Sequence, residues 1–179
     1  MPRYASHVVA LYDRYLAFRV RLTAGEPPAH VALVITERDL LEQGAYATLE
    51  AFLGWAFEYG AERVTVYVSV LDPAAVPTLR RELGEVEAPR EMAVRGPEDT
   101  ERADAPVQVS IGQGGREEFA EAVRSLAAEV EAGDLAPGDI EPADIEGRLV
   151  FPAEPDLFIK TGAERLSDFM IWQSVYSEL

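Results

Sequence analysis

The sequence predicts an α/β fold: a central, mostly parallel sheet flanked by helices, in a single domain spanning residues 1–179. Three observations predict it. Residues 31–36 and 63–71 are continuous apolar, β-branched runs, the pattern of strands buried on both faces. Amphipathic stretches of helical period separate the apolar runs. The length, 179 residues, suits one domain with a real core. The chain has no Cys, which excludes disulfides, a thiol nucleophile and thiolate metal sites. No apolar run reaches the ~18 residues of a membrane span. The first residues lack the basic-then-apolar pattern of a secretory signal. The expectation is a cytoplasmic protein.

Charge narrows the function classes. The formal net charge is −16, from 32 acidic and 16 basic residues. Such acidity opposes nucleic-acid binding, which needs a basic surface, and repels anionic lipid headgroups. It fits solvation in concentrated salt, as in a halophile, or a plain acidic protein. Lys160 is the one Lys in the chain.

The elements follow in order. Residues 7–23 place Val8, Leu11, Tyr15, Phe18 and Leu22 on one face of an amphipathic helix, within an N-terminal segment of residues 1–25. Residues 31–36 are the central strand, with His30 at its start. Residues 44–59 form a helix with Leu49, Phe52, Leu53 and Ala56 facing inward, closed by Gly60. Residues 63–71 are the second strand. Residues 73–105 are a shortened variable region: a helix over 75–83, a strand over 92–94, then a polar acidic run read as a flexible loop. Residues 106–116 give another strand and a Gly-rich turn, where Gly114 and Gly115 permit close backbone approach and positive φ. Arg116 pairs with an acidic neighbour or faces a dimer interface. A helix follows over 117–131. Residues 133–148 read as a short helical connector with Asp139 as N-cap; their acidic spacing does not fit an EF-hand loop. His7 and His30 are the only His, and no Ser-His-Asp set is readable.

The last stretch, residues 154–179, carries the chemistry. Pro155 leads into a buried strand over 156–159. A polar loop with Lys160 and Arg165 follows. Ser167 and Asp168 can cap a final helix with Phe169, Trp172 and Tyr176 on one face. A loop leaving the carboxyl end of a parallel strand is where α/β folds bind anionic ligands. Lys and Arg there offer charge-assisted hydrogen bonds to phosphate, and Ser a neutral one. By spacing alone, a salt-bridged surface loop accounts for it equally well.

This stretch, E-P-D-L-F-I-K-T-G-A-E-R-L-S-D-F-M-I-W-Q-S-V-Y-S-E-L, resembles the C-terminal signature of the cis-prenyltransferases, the undecaprenyl diphosphate synthase family: D-P-D-L-L-I-R-T-G-G-E-x-R-L-S-N-F-L-L-W-Q-x-A-Y-S-E-L. The loop is one residue shorter here. His30 and V-A-L-V-I resemble that family's H-V-A-I-I-M-D-G-N-R-R-W-A. W-A-F-E-Y-G-A-E-R-V-T-V-Y resembles W-x-x-E-x-G-x-x-x-x-T-x-Y, and V-Q-V-S-I-G-Q-G-G-R resembles L-N-I-A-x-x-Y-G-G-R. The resemblance implies a six-stranded parallel sheet, a dimer through the C-terminal half, and use of isopentenyl diphosphate with magnesium. It places isopentenyl diphosphate binding on Lys160 (an Arg in the family), Arg165 and Ser167, and a magnesium ligand on Glu178.

The departures are specific. The family's catalytic Asp, which anchors magnesium on the allylic diphosphate, falls on Thr36; its Gly and Asn fall on Glu37 and Arg38, and its Arg-Arg-Trp on Asp39, Leu40 and Leu41. Thr is a poor ligand for a hard cation. Glu37 and Asp39 would repel a diphosphate. Glu37 as a substitute ligand is disfavoured, because adjacent strand-end residues point to opposite sides. The family's F-S-x-E-N-W reads Val68, Ser69, Val70, Leu71, Asp72, Pro73. The shortened 73–105 region implies a chain-housing tunnel for a short prenyl chain or none. The primary reading is a non-catalytic subunit, a homodimer or a heterodimer with an active paralogue, peripheral to the membrane through that partner. The alternatives are an active short-chain prenyltransferase with a rearranged magnesium site using Glu37, Asp39 or Glu178, and a homodimer that binds isoprenoid diphosphates as a sensor.

Overall fold

A computed structural model describes residues 26–99, 104–151, 153–161 and 170–172. The helix expected over 7–23 lies outside them. Strand β1 (His30–Thr36) is a run of Val, Ile, Ala and Leu between two polar ends. β-Branched residues are stiff at χ1 and pack well on a pleated surface, which favours a strand here. Around it lie β2 (Arg63–Ser69), β3 (Met92–Arg95), β4 (Val107–Ile111) and β5 (Leu157–Lys160). The order is β3-β4-β2-β1-β5 and every pairing is parallel. Five strands thus lie among the described residues, against the six that the resemblance implied.

Alternation along the strands divides the sheet into two faces. On the first, Val31, Leu33 and Ile35 join Val64, Val66, Val68, Val107, Val109 and Ile111. Two helices cover this face: α2 (Ala45–Glu58), with Leu49 and Leu53, and α3 (Val76–Gly84), with Leu79 and Leu83. Between β1 and α2 sits the single turn α1 (Glu37–Leu40). The Tyr46 hydroxyl donates to Glu82 Oε2 at 2.7 Å, tying α2 to α3; burial and that carboxylate push its pKa up to about 12. On the second face, Ala32, Val34, Tyr67 and Phe158 pack with Val150, Phe151 and Met170. The long helix α4 (Gly115–Ala132) buries Ala122 and Leu126 and joins this face through buried Glu118, whose Oε1 accepts the Phe151 N–H at 2.8 Å.

Helix α2 stops where the sequence placed its end. Gly60 has φ 108°, a conformation costly for a residue with a Cβ, and its N–H returns to Phe57 O at 3.2 Å. One expectation needs correction, and two others fall only partly within the described residues. The cap of α5 (Pro142–Glu146) is Glu141, not Asp139. Pro142 lacks an N–H and presets φ, so it starts the helix; Asp139 ends a separate 3₁₀ turn opened by Pro137. Of the final helix expected around Phe169, Trp172 and Tyr176, the structure describes residues 170–172, which form a bend and turn, with Met170 at φ 48°. The described start of the acidic run is anchored: Asp99 accepts the Gly96 N–H at 2.8 Å and pairs with Arg80 at 2.9 Å, and its carbonyl accepts from Arg95 at 2.8 Å. Residues 100–103 lie outside the description.

Leu53 is 0% exposed within the larger core. Leu53→Ala should lower the unfolding free energy by about 2–5 kcal/mol, the usual range for a buried Leu truncated to Ala, as read by urea denaturation.

Candidate functional site

The carboxyl ends of β1 and β5 lie side by side, because Val34 is the register partner of Lys160. Thr36 ends β1 and is also the N-cap of α1, with φ −106° and ψ 159°. The sequence T-x-x-D makes a reciprocal capping box. Asp39 Oδ2 accepts the Thr36 N–H at 2.8 Å and the Thr36 hydroxyl at 3.0 Å. A third donor comes from the other strand: the Thr161 hydroxyl, 3.1 Å from the same oxygen. The Thr161 N–H continues the ladder to Val34 O at 3.0 Å. The Asp39 carboxyl is held below its ordinary pKa, first by the Thr36 backbone hydrogen bond and then, against some burial, by the two hydroxyls.

Glu37 is engaged elsewhere. Its Oε2 accepts the Leu71 N–H at 3.0 Å and the Asp72 N–H at 3.5 Å, joining the start of α1 to the loop after β2. The divalent cation implied by the family resemblance can be tested on these donors. Thr36 supplies a neutral hydroxyl, while the carboxylates of Glu37 and Asp39 are both committed to protein hydrogen bonds. Among the described residues no group of three or more His, Cys, Asp or Glu could hold a metal ion. The donors present at the end of β1 do not fit the cation.

Lys160 is half-buried on β5. The structure therefore brings Thr36 and Lys160 to neighbouring strand ends. Arg165, Ser167 and Glu178 lie outside the described residues, so their placement beside Lys160 remains an expectation from the sequence. Sequence reasoning missed the Thr36–Asp39–Thr161 cluster. The capping box was legible as T-x-x-D; Thr161, 122 residues from Asp39, carried no local signal.

The Gly-rich turn behaves as a close-approach device. A Cβ on Gly115 would lie 3.0 Å from both Met170 N and Ile171 N, so Gly lets this segment reach the start of α4. Positive φ occurs at Gly112 (71°), whereas Gly114 is extended at φ −71°. Trp172 stacks on Phe119 of α4, with centroids 5.9 Å apart, and donates to Glu146 Oε1 at 3.3 Å. Arg116 is exposed in the first turn of α4.

Comparison with known proteins places this geometry. The family model described as "Putative undecaprenyl diphosphate synthase" matches residues 80–179. The chain is similar to the short-chain Z-isoprenyl diphosphate synthase of Mycobacterium leprae, with 31% identity over 99% of this chain and 86% of that protein. That alignment occupies 228 positions against a chain of 179 residues, so the relative carries segments with no counterpart here. A local match joins it to the geranylgeranyl-diphosphate-specific tritrans,polycis-undecaprenyl-diphosphate synthase of Methanocaldococcus jannaschii, 44% identical over 41% of this chain and 28% of that one. In three dimensions the chain is similar to lavandulyl diphosphate synthase from Lavandula x intermedia, solved with dimethylallyl diphosphate. The TM-score is 0.61 and the identity 24%, covering 84% of this chain and 85% of that one. The chain belongs to the cis-prenyltransferase (undecaprenyl diphosphate synthase) family.

Asp39→Ala removes the acceptor of three hydrogen bonds and half of a capping box. Stability at pH 7 should fall by about 1 kcal/mol, the usual worth of a cap. Because the folded pKa is depressed, this contribution is complete above the unfolded carboxyl value of ~3.9 and disappears as pH falls through the folded value. Thermal melts of wild type and variant should differ at pH 7 and converge in strong acid.

Proposed function

We propose that this chain is a non-catalytic member of its family, a partner subunit in polyprenyl diphosphate synthesis. It keeps a site for the diphosphate of isopentenyl diphosphate around Lys160, Arg165 and Ser167. It pairs with an active cis-prenyltransferase paralogue in the cytoplasm, at the membrane surface through that partner. One observation carries this reading. Thr36 stands where the family pattern has Asp, and the neighbouring carboxylate of Asp39 is engaged by three protein donors.

The chemistry explains the weight of that observation. In prenyl transfer the allylic C–O bond breaks, diphosphate leaves with its electron pair, and the alkene of isopentenyl diphosphate forms the new C–C bond before a proton is lost. The step needs positive charge at the leaving group. The helical turn α1 after β1 offers Arg38 against Glu37 and Asp39, which is the wrong balance. The shortened 73–105 region supports a short prenyl chain or none.

A second reading, an active short-chain transferase, is favoured by the 31% identity along 99% of the chain to a protein named as a short-chain Z-isoprenyl diphosphate synthase. It requires a rebuilt magnesium site using Glu37, Asp39 or Glu178.

A prenyl-transfer assay in high salt with magnesium separates the two, using labelled isopentenyl diphosphate with farnesyl or geranylgeranyl diphosphate. The protein alone should give no product, and its addition to the active paralogue should change the rate or the product length. Product from the protein alone, lost in Glu37→Ala or Glu178→Ala, overturns the non-catalytic reading.

A further inference from the structure

Strand β5 is the weakest-held part of the described sheet that bears on the candidate site. It has four register pairs, all with β1, while β1 shares seven with β2. Beyond this short ladder, the packing of Phe158 on one face and of Leu157 and Ile159 on the other helps fix its register. A slip of one residue turns every side chain to the opposite face, and a slip of two moves Lys160 by about 7 Å. A side-chain feature next to the ladder adds to what fixes where Lys160 stands.

That feature lies at the opposite end of the sheet. His30 N–H donates to Asp156 Oδ2 at 2.8 Å, and Asp156 N–H donates back to His30 O at 2.9 Å. The buried His30 ring reaches both neighbours of β1: Nδ1 lies 3.1 Å from Glu154 O before β5, and Nε2 lies 2.9 Å from the Thr65 hydroxyl of β2. A carbonyl oxygen can only accept, so Nδ1 carries the proton and Nε2 accepts from Thr65. Three hydrogen bonds therefore join the start of β1 to the segment that opens β5, His30 and Asp156 being 126 residues apart in sequence, and a fourth ties the His30 ring to β2.

We infer that His30 and Asp156 form a register clamp that positions Lys160 and Thr161 at the far end of β5. The inference rests on the reading of Lys160 as a diphosphate contact. His30 and Asp156 are positioning residues and touch no ligand. The ring chemistry agrees with this role. Burial holds the His30 pKa below its ordinary value; Arg63 pushes the same way, and the Glu154 carbonyl and Asp156 oppose it. The neutral ring is thus the folded form. Its contribution is complete above the unfolded value of ~6.5 and declines as pH falls below it.

The test uses Asp156→Ala, His30→Gln and Lys160→Ala in the full chain, with amide exchange and inorganic pyrophosphate titration as separate readouts. Asp156 is exposed, so its truncation leaves the core intact even if His30→Gln fails to fold. Amide protection at 157–160 should drop about tenfold in the clamp variants while 107–111 stays unchanged, and the pyrophosphate Kd should rise about tenfold. Lys160→Ala should weaken pyrophosphate binding with β5 protection intact. Unchanged protection in the clamp variants overturns the clamp. Lost protection with unchanged pyrophosphate affinity overturns its positioning role. Wild-type protein that does not bind pyrophosphate overturns the Lys160 reading instead, and the exchange data then decide the clamp by themselves.

Discussion

Both faces of β1 and both of its edges are occupied, and the rest of the structure depends on that constraint. Its odd residues face α2 and α3, and Ala32 and Val34 face the second cluster. β2 takes one edge and β5 the other. A strand in this position has no room for a charge between its ends, because burying an unpaired ion costs far more than one hydrophobic contact returns. Polar chemistry is forced to the termini. His30 stands at one end, bonded to the β5 segment and to β2, and Thr36 at the other, bonded to Asp39, which in turn accepts from Thr161 just past β5.

Electrostatics work on a different scale. The chain carries −16, and the ion pairs on its surface, such as Arg124 with Glu121, contribute little individually. What matters is where positive charge remains. The described strand ends offer Lys160 and Arg38, flanked by Glu37 and Asp39. Each of those carboxylates is bound to backbone N–H groups. Their charge is partly satisfied inside the protein, yet it still opposes an incoming polyanion.

Much of the fold was legible in the sequence because its signals are local. The β-branched runs of 31–36 and 63–69, the inward stripe Leu49, Phe52, Leu53 and Ala56, and the stop at Gly60 each depend on neighbours within a few residues. The errors came where two local signals competed. Asp139 is a good cap by composition, but Pro142 dictates where the helix can begin. Of the stretch whose aromatic spacing reads as helix, the described residues 170–172 turn against Gly115, and Trp172 stacks on Phe119. The site was half legible. Thr36 announces itself by position in a familiar pattern. Thr161 reaching Asp39, and His30 reaching Asp156, are contacts between distant segments that no periodicity encodes.

The two ends of the β1–β5 pair therefore differ in kind. At the His30 end the hydrogen bonds hold a strand in place and leave the residues chemically inert: the ring is neutral and buried, and Asp156 caps backbone. At the Thr36 end the same economy has been applied to a position where the family pattern has an ionised carboxylate. An active metal ligand must keep lone pairs free and tolerate the strain of an uncompensated charge, a cost that functional sites ordinarily bear at the expense of stability. In this chain Thr36, Asp39 and Thr161 satisfy one another, which removes that cost and stiffens the junction of β1 with β5. That exchange is the physical basis of the proposed non-catalytic role: it favours a fixed shape over the ionisation of an allylic diphosphate.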